Sequence, residues 1–113
     1  MSNGWIVLYQ NSSIWLAQQR LTGEQYRVLF ALFSRLDFDN YLRVSLKEIA
    51  ELLNMQPVSV SRAMKKLKEL KIIIESSPAG KFKTYRLNPY IAYKGTVRTH
   101  SFVDFNSVMD KSK

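Results

Sequence analysis

The sequence has no cysteine, one histidine, four glycines and three prolines. Without cysteine there is no disulfide framework, no thiolate metal site and no cysteine nucleophile. The single histidine, His100, lies in a poorly patterned stretch near the C-terminus. The glycines, Gly4, Gly23, Gly80 and Gly95, are scattered and form no phosphate-cradling loop. The close carboxylates Asp37 and Asp39 stand beside Asn40, a grouping that marks a turn far more often than a catalytic or metal site. No apolar run approaches the ~20 residues that span a bilayer. The N-terminus lacks a basic region followed by an apolar stretch with a cleavage site. These absences point away from an enzyme, a metal or cofactor protein and a membrane protein, and a cytoplasmic chain is the expectation.

Positive charge is what the sequence has in excess. Seventeen Lys and Arg stand against nine Asp and Glu, a formal charge of +8 over 113 residues. The excess is concentrated: from Arg43 to Lys94 there are 11 basic residues and 4 acidic ones. Such a surplus favours a polyanionic partner through counterion release from phosphates. With 46% apolar residues the chain is long enough for one domain with its own core.

Residues 5–17 combine a β-branched and aromatic run, Trp5 to Tyr9, with a polar cluster, Gln10 to Ser13, and a second apolar run, Ile14 to Ala17. This reads as a short N-terminal hairpin that covers the core or meets a second subunit. Thr22 with Gln25 has the form of a capping box, and Tyr26, Leu29, Phe30, Phe33 and Leu36 recur at helical spacing, giving a helix over residues 23–36. Residues 37–40 are turn formers and Tyr41 to Val44 a brief strand. Ser45 with Glu48 repeats the capping signature ahead of a short helix ending at Asn54. Pro57, following Gln56, opens the next helix, which runs to Leu70 or Lys71. Residues 72–76 and 81–87 form two strands around the turn Ser77-Pro78-Ala79-Gly80. Tyr90 to Tyr93 fits one more turn of helix, and residues 96–113 read as either a docked helix or a frayed tail.

Helix, tight joint, helix, hairpin is the order of a winged helix-turn-helix, a mainly α fold with a β-hairpin wing (α+β). The expected domain is residues 1–95, with the helix-turn-helix over 45–71 and the wing over 72–87. At about 100° per residue, Val60, Ala63, Met64, Leu67 and Leu70 share one stripe of the Pro57 helix, the core side. Val58, Ser61, Arg62, Lys65, Lys66 and Glu69 share the other. The planar fork of Arg62 suits guanine O6 and N7. Gln56, Val58 and Ser59 occupy the leading end, where an amide suits adenine and a methyl pair suits a thymine methyl. Ser61, Lys65 and Lys66 are placed for phosphates, Lys81, Lys83 and Arg86 for an adjacent backbone or minor groove. Ser45 and Lys47 stand at a helix start whose N–H groups favour phosphate.

Each feature has a plainer reading. A lysine-rich helix face is usually solvated surface, Arg62 has Glu48 and Glu69 as potential ion-pair partners, and lysines on a hairpin protect an edge. The order of the elements decides, because it lays the basic stripe and the basic hairpin on one surface. That surface makes double-stranded DNA the expected partner, bound by a homodimer, since one such module covers little DNA.

The run from Lys47 to Leu53, followed by Val60-Ser61-Arg62-Ala63-Met64-Lys65-Lys66-Leu67, resembles the core of bacterial winged-helix regulators. With Leu21-Thr22-Gly23-Glu24-Gln25, Leu87-Asn88-Pro89-Tyr90-Ile91 and Lys94-Gly95, the stretch from about Trp5 to Gly95 resembles the RepL-type replication proteins of small bacterial plasmids. That resemblance implies an initiator that binds an origin and engages host replication proteins. The same domain also serves transcriptional repressors. An adaptor binding an acidic protein is the remaining alternative, and steep loss of duplex affinity with salt separates DNA binding from it.

Overall fold

The computed structural model describes residues 4–79 and 82–95. Within them the order is β1 (Ile6–Leu8), α1 (Gln10–Gln18), α2 (Gly23–Phe33), α3 (Leu46–Leu53), α4 (Pro57–Glu69), β2 (Ile73–Ala79), β3 (Phe82–Leu87) and β4 (Ala92–Lys94). It is a winged helix-turn-helix: three helices, α2 to α4, pack around one core and the β2–β3 hairpin follows.

The helix starts follow from local chemistry. The Thr22 hydroxyl accepts from the Gln25 N–H at 3.2 Å, and the Gln25 side-chain oxygen accepts from the Thr22 N–H at 2.9 Å. Ser45 and Glu48 repeat this reciprocal pair at 3.1 and 3.3 Å. Two orphan donors are satisfied at each start, which fixes where the helix begins. α2 ends at Phe33, one turn short of the expected Leu36, which instead bridges to Leu42. α3 ends on Asn54 at φ 52°, ψ 47°. A short polar side chain tolerates this left-handed geometry, and the chain reverses there directly into α4.

The buried stripe of α4 is the one the periodicity predicts, whereas Phe30 on α2 and Leu52 on α3, grouped with the apolar stripes by spacing, are 62% and 54% exposed. α2 contributes Val28, Leu29, Leu32 and Phe33, α3 Ile49 and Ala50, α4 Val60, Ala63, Met64 and Leu67. Ile72, Ile73 and Leu87 close the core from the wing base. Nine of these large side chains are essentially free of solvent, from Val28 to Leu87, so truncating one removes its full transfer term and leaves a cavity.

The wing pairs Ile73 with Leu87, Ile74 with Arg86 and Glu75 with Tyr85, and shifts register between Ser76 and Ala79. The expected brief strand over 41–44 is a thread along its edge. Tyr41 bridges to Arg86, Leu42 N–H donates to Tyr85 O at 3.0 Å, and Leu87 N–H donates to Asn40 O at 2.8 Å.

The expected N-terminal hairpin over residues 5–17 is not what forms. Ile6–Leu8 pairs antiparallel with Ala92–Lys94, Val7 opposite Tyr93, and Gln10–Gln18 is helical. The polar cluster offers no glycine or positive-φ residue for a tight reversal, so it serves as the first turn of α1, with Ser13 N–H donating to Tyr9 O at 3.0 Å. The four apolar residues that follow fit either period. The expected helical turn at Tyr90 to Tyr93 is also replaced. Asn88 turns the chain, its Oδ1 accepting from Tyr90 N–H at 3.0 Å, and delivers Ala92–Lys94 to β1. Residues 96–113, expected to be a docked helix or a tail, lie outside the described residues.

Candidate nucleic-acid interface

α4 begins at Pro57, where the missing N–H costs no helical bond. Its cap residue Gln56 is exposed and makes no side-chain capping bond, so its amide is left unengaged at the start of the helix. Val58, 57% exposed, is an apolar residue on an otherwise polar face. Ser61, Arg62 and Lys65 are exposed, while Ser59 and Lys66 are half-buried. Arg62 forms no ion pair or hydrogen bond with another described residue, including Glu48 and Glu69, so its fork stays available.

Arg62 and Ser59 border a notch shared with Thr22, Glu24 and Gln25 at the start of α2. The capping box there occupies the Thr22 and Gln25 N–H groups. Sequence reading did not place α2 at this surface, because no local pattern reports which helix start lies beside which face. Arg27 is a second residue the pattern missed. Its Nη2 donates to Leu53 O at 2.6 Å, tying α2 to the end of α3.

Ser45 and Lys47 are exposed at the start of α3. The Ser45 oxygen already accepts from the Glu48 N–H, and the Glu48 carboxylate holds this end, which weakens its appeal to an anion. On the wing, Lys81 and the side chain of Lys83 lie outside the described residues. Arg86 is turned to the fold: Nε and Nη2 donate to the Asp39 carbonyl at 3.3 and 3.0 Å, and the guanidinium lies 5.1 Å from the Tyr41 ring centroid. Arg43 stacks near the same ring at 5.4 Å and donates from Nε to Asp37 at 2.8 Å. Lys68 pairs with Glu75 at 3.3 Å and sits over the Tyr85 ring, joining α4 to β2.

Asp37 organises this corner. Partial burial raises its carboxyl, but the hydrogen bond from Arg43, those from the Tyr41 and Asp39 N–H groups, and the Arg43 charge outweigh it and hold the group below its ordinary value. Among the described residues no three His, Asp or Glu side chains gather as a metal site, and no helix is long and apolar enough to cross a membrane. The arrangement offers an exposed polar helix face with one free guanidinium, a free amide and an ammonium, backed by a rigid core.

Among family profiles, the Crp-like helix-turn-helix domain matches residues 26–81. No curated protein matches the chain in sequence. Among solved structures, the Staphylococcus aureus MepR–DNA complex is similar at 22% identity, covering 91% of this chain and 70% of MepR, with a TM-score of 0.52. The solution structure of the DNA-binding TubR fragment from Clostridium botulinum is similar at 19% identity, covering 62% of this chain and 86% of the fragment, with a TM-score of 0.50. At these identities the likeness is one of fold, and that fold is the winged helix-turn-helix that the elements themselves describe.

Proposed function

We propose that this chain binds double-stranded DNA sequence-specifically and regulates transcription from an operator, laying α4 in the major groove with Gln56, Val58 and Arg62 toward base edges. The observation that carries the reading is the exposed, unpaired Arg62 on the polar stripe of a helix whose opposite stripe is fully buried. Ser61, Lys65 and Lys66 supply phosphate contacts from the same helix, Ser59 sits at the leading end, and Ser45 and Lys47 at the start of α3 make a weaker backbone contact, because the Glu48 carboxylate already holds that end. Lys81 and Lys83 extend the contact along the wing, with Arg86 setting the wing's attachment.

The match to the Crp-like helix-turn-helix domain and the fold shared with MepR, solved as a DNA complex, support this reading. They favour a regulator over the replication initiator that the RepL-type resemblance implies. The origin-binding reading keeps the support of Leu87-Asn88-Pro89-Tyr90-Ile91, and a selected site resolves it by where that site lies. The test is selection of bound duplexes from a random pool, followed by anisotropy titrations against salt. Enrichment of one motif, with affinity falling steeply as salt rises, is the expected result. Equal affinity for all duplexes would defeat the sequence-specific reading.

A further inference from the structure

A groove of about 400 Å³ is lined by Phe30, Phe33 and Leu36 from α2 and its end, and by Trp5, Ile6 and Lys94 from the β1–β4 side. Phe33 and Leu36 belong to the core, 6% and 5% exposed, whereas Phe30 is 62% exposed. Phe30 stands edge-on to Phe33, with ring centroids 5.5 Å apart and planes at 77°. An exposed phenylalanine held against a buried one makes one wall of the groove.

The facing wall is equally well fixed. Gly95 N–H donates to Trp5 O at 2.9 Å, and a Cβ at Gly95 would run into the Trp5 indole, so glycine is what lets the ring lie this close. Ile6 is paired directly opposite Lys94 across the ladder, which puts both side chains on one face of it. Both line the groove. Charge within it has a single sign. Lys94 forms no ion pair with another described residue, and its Nζ lies 4.5 Å from the Phe38 ring centroid. Among the described residues no Asp or Glu lines the groove.

We propose that this groove binds a small planar aromatic acid, its ring system against Trp5, Phe30 and Phe33 and its carboxylate at the Lys94 ammonium. The volume lies within the range of about 300–1,000 Å³ usual for small-molecule sites, which are mostly apolar with a few polar groups that fix orientation. Three rings offer a flat π system both stacked and edge-on contacts. Charge then selects the class of ligand. An aromatic-lined hollow suits a cation only where no ammonium competes, and here Lys94 repels one. A neutral apolar ligand would cover the half-buried ammonium without pairing it, a cost that a carboxylate removes. The groove shares no lining residue with the notch at Arg62, so the proposal stands apart from the DNA-binding reading.

The test uses the full chain without DNA. The chain has two tryptophans and Trp15 lies outside the groove, so Trp15→Phe keeps Trp5 as the sole reporter. β-Naphthoate is expected to quench Trp5 emission saturably and one-to-one, with a Kd of about 1 mM or below. The charge-reversed probe β-naphthylmethylammonium is expected to bind at least about tenfold more weakly, and Lys94→Glu to invert that order. Phe30→Ala, at an exposed position outside the core, is expected to lower naphthoate affinity about tenfold with an unchanged circular dichroism spectrum. Should Lys94→Glu fail to fold, the two probes on the protein with Lys94 intact still decide. Absence of saturable quenching by naphthoate, equal affinity for the two probes, or full affinity in Phe30→Ala would each overturn the proposal. Preference for the ammonium probe would overturn it in favour of a cation site. Sedimentation in the same buffers tests one more occupant: naphthoate that binds only by converting a dimer to monomers would give the groove to a second copy and overturn the proposal too.

Discussion

The side-chain amide of Asn40 donates to the carbonyl of Ala92, 52 residues further along the chain, at 2.9 Å. The same Nδ2 donates to Leu87 O at 3.2 Å, and Asn40 O accepts from Leu87 N–H at 2.8 Å. Asn40 is the one buried polar residue among those described, 3% exposed, and its φ is 65°. One residue thus joins the turn after α2, the last strand of the wing and the strand that anchors β1. The exposed face of α4 is backed by the buried stripe Val60, Ala63, Met64 and Leu67.

Asn40→Ala is expected to cost about 1–3 kcal/mol from the carbonyls left without a donor, with a further cost from an alanine at positive φ. Asn40→Gly keeps the backbone geometry and loses only the hydrogen bonds, so it should fall between wild type and Asn40→Ala. Urea unfolding of the three proteins checks the order. Equal midpoints for all three would mean that the amide contributes nothing.

Arg62→Ala is expected to weaken binding to the selected duplex by about 1–3 kcal/mol and to change binding to random duplex much less. The reason is that a planar fork discriminates between bases, whereas phosphate contacts do not. Titrations on both duplexes give the comparison. Equal losses on the two would reassign Arg62 to the phosphate backbone.

What the sequence made readable, and what it hid, divides along chain separation. The two capping boxes, the Asn54 cap and the Pro57 start each depend on residues within one turn, and they appear where periodicity puts them. The buried and exposed stripes of α4 are equally local. The pairing of Ile6–Leu8 with Ala92–Lys94 joins residues more than 80 positions apart, so the strand partner could not be read from its neighbours and a hairpin took its place. Arg86 illustrates the same limit within the candidate site. Its alternation on β3 marks it as a wing cation, but its partner is a backbone carbonyl 47 residues earlier. A main-chain acceptor of that kind leaves no trace in residue type.

Asp37 gives the fold a pH dependence. Its carboxyl is held below the ordinary value in the folded state, so the stabilisation is present above the unfolded value of about 4 and is lost as pH falls through the folded value. Below about pH 4 the wild type should therefore lose stability more steeply than Asp37→Asn, which keeps an acceptor oxygen for the Tyr41 and Asp39 N–H groups but carries no charge. Thermal unfolding from pH 3 to pH 7 measures it. Parallel curves for the two proteins would show that the Arg43 contact, at an arginine side chain 69% exposed, is too well screened to matter.

Lys65 and Arg86 separate two roles that basic residues play around this surface. Lys65 is exposed, with no ion pair among the described residues, so its ammonium is available to a phosphate. Arg86 spends two donors on the Asp39 carbonyl and its face on Tyr41. Lys65→Ala should weaken binding to every duplex alike and reduce the slope of log affinity against log salt by about one unit, because one fewer counterion is released. Arg86→Ala should leave that slope nearly unchanged and instead lower stability by about 1 kcal/mol through the lost hydrogen bonds to the 37–40 turn. Salt titrations and urea unfolding on both variants complete the test. A full unit of slope lost with Arg86→Ala would place its guanidinium on DNA in the complex, with the Asp39 contact given up on binding.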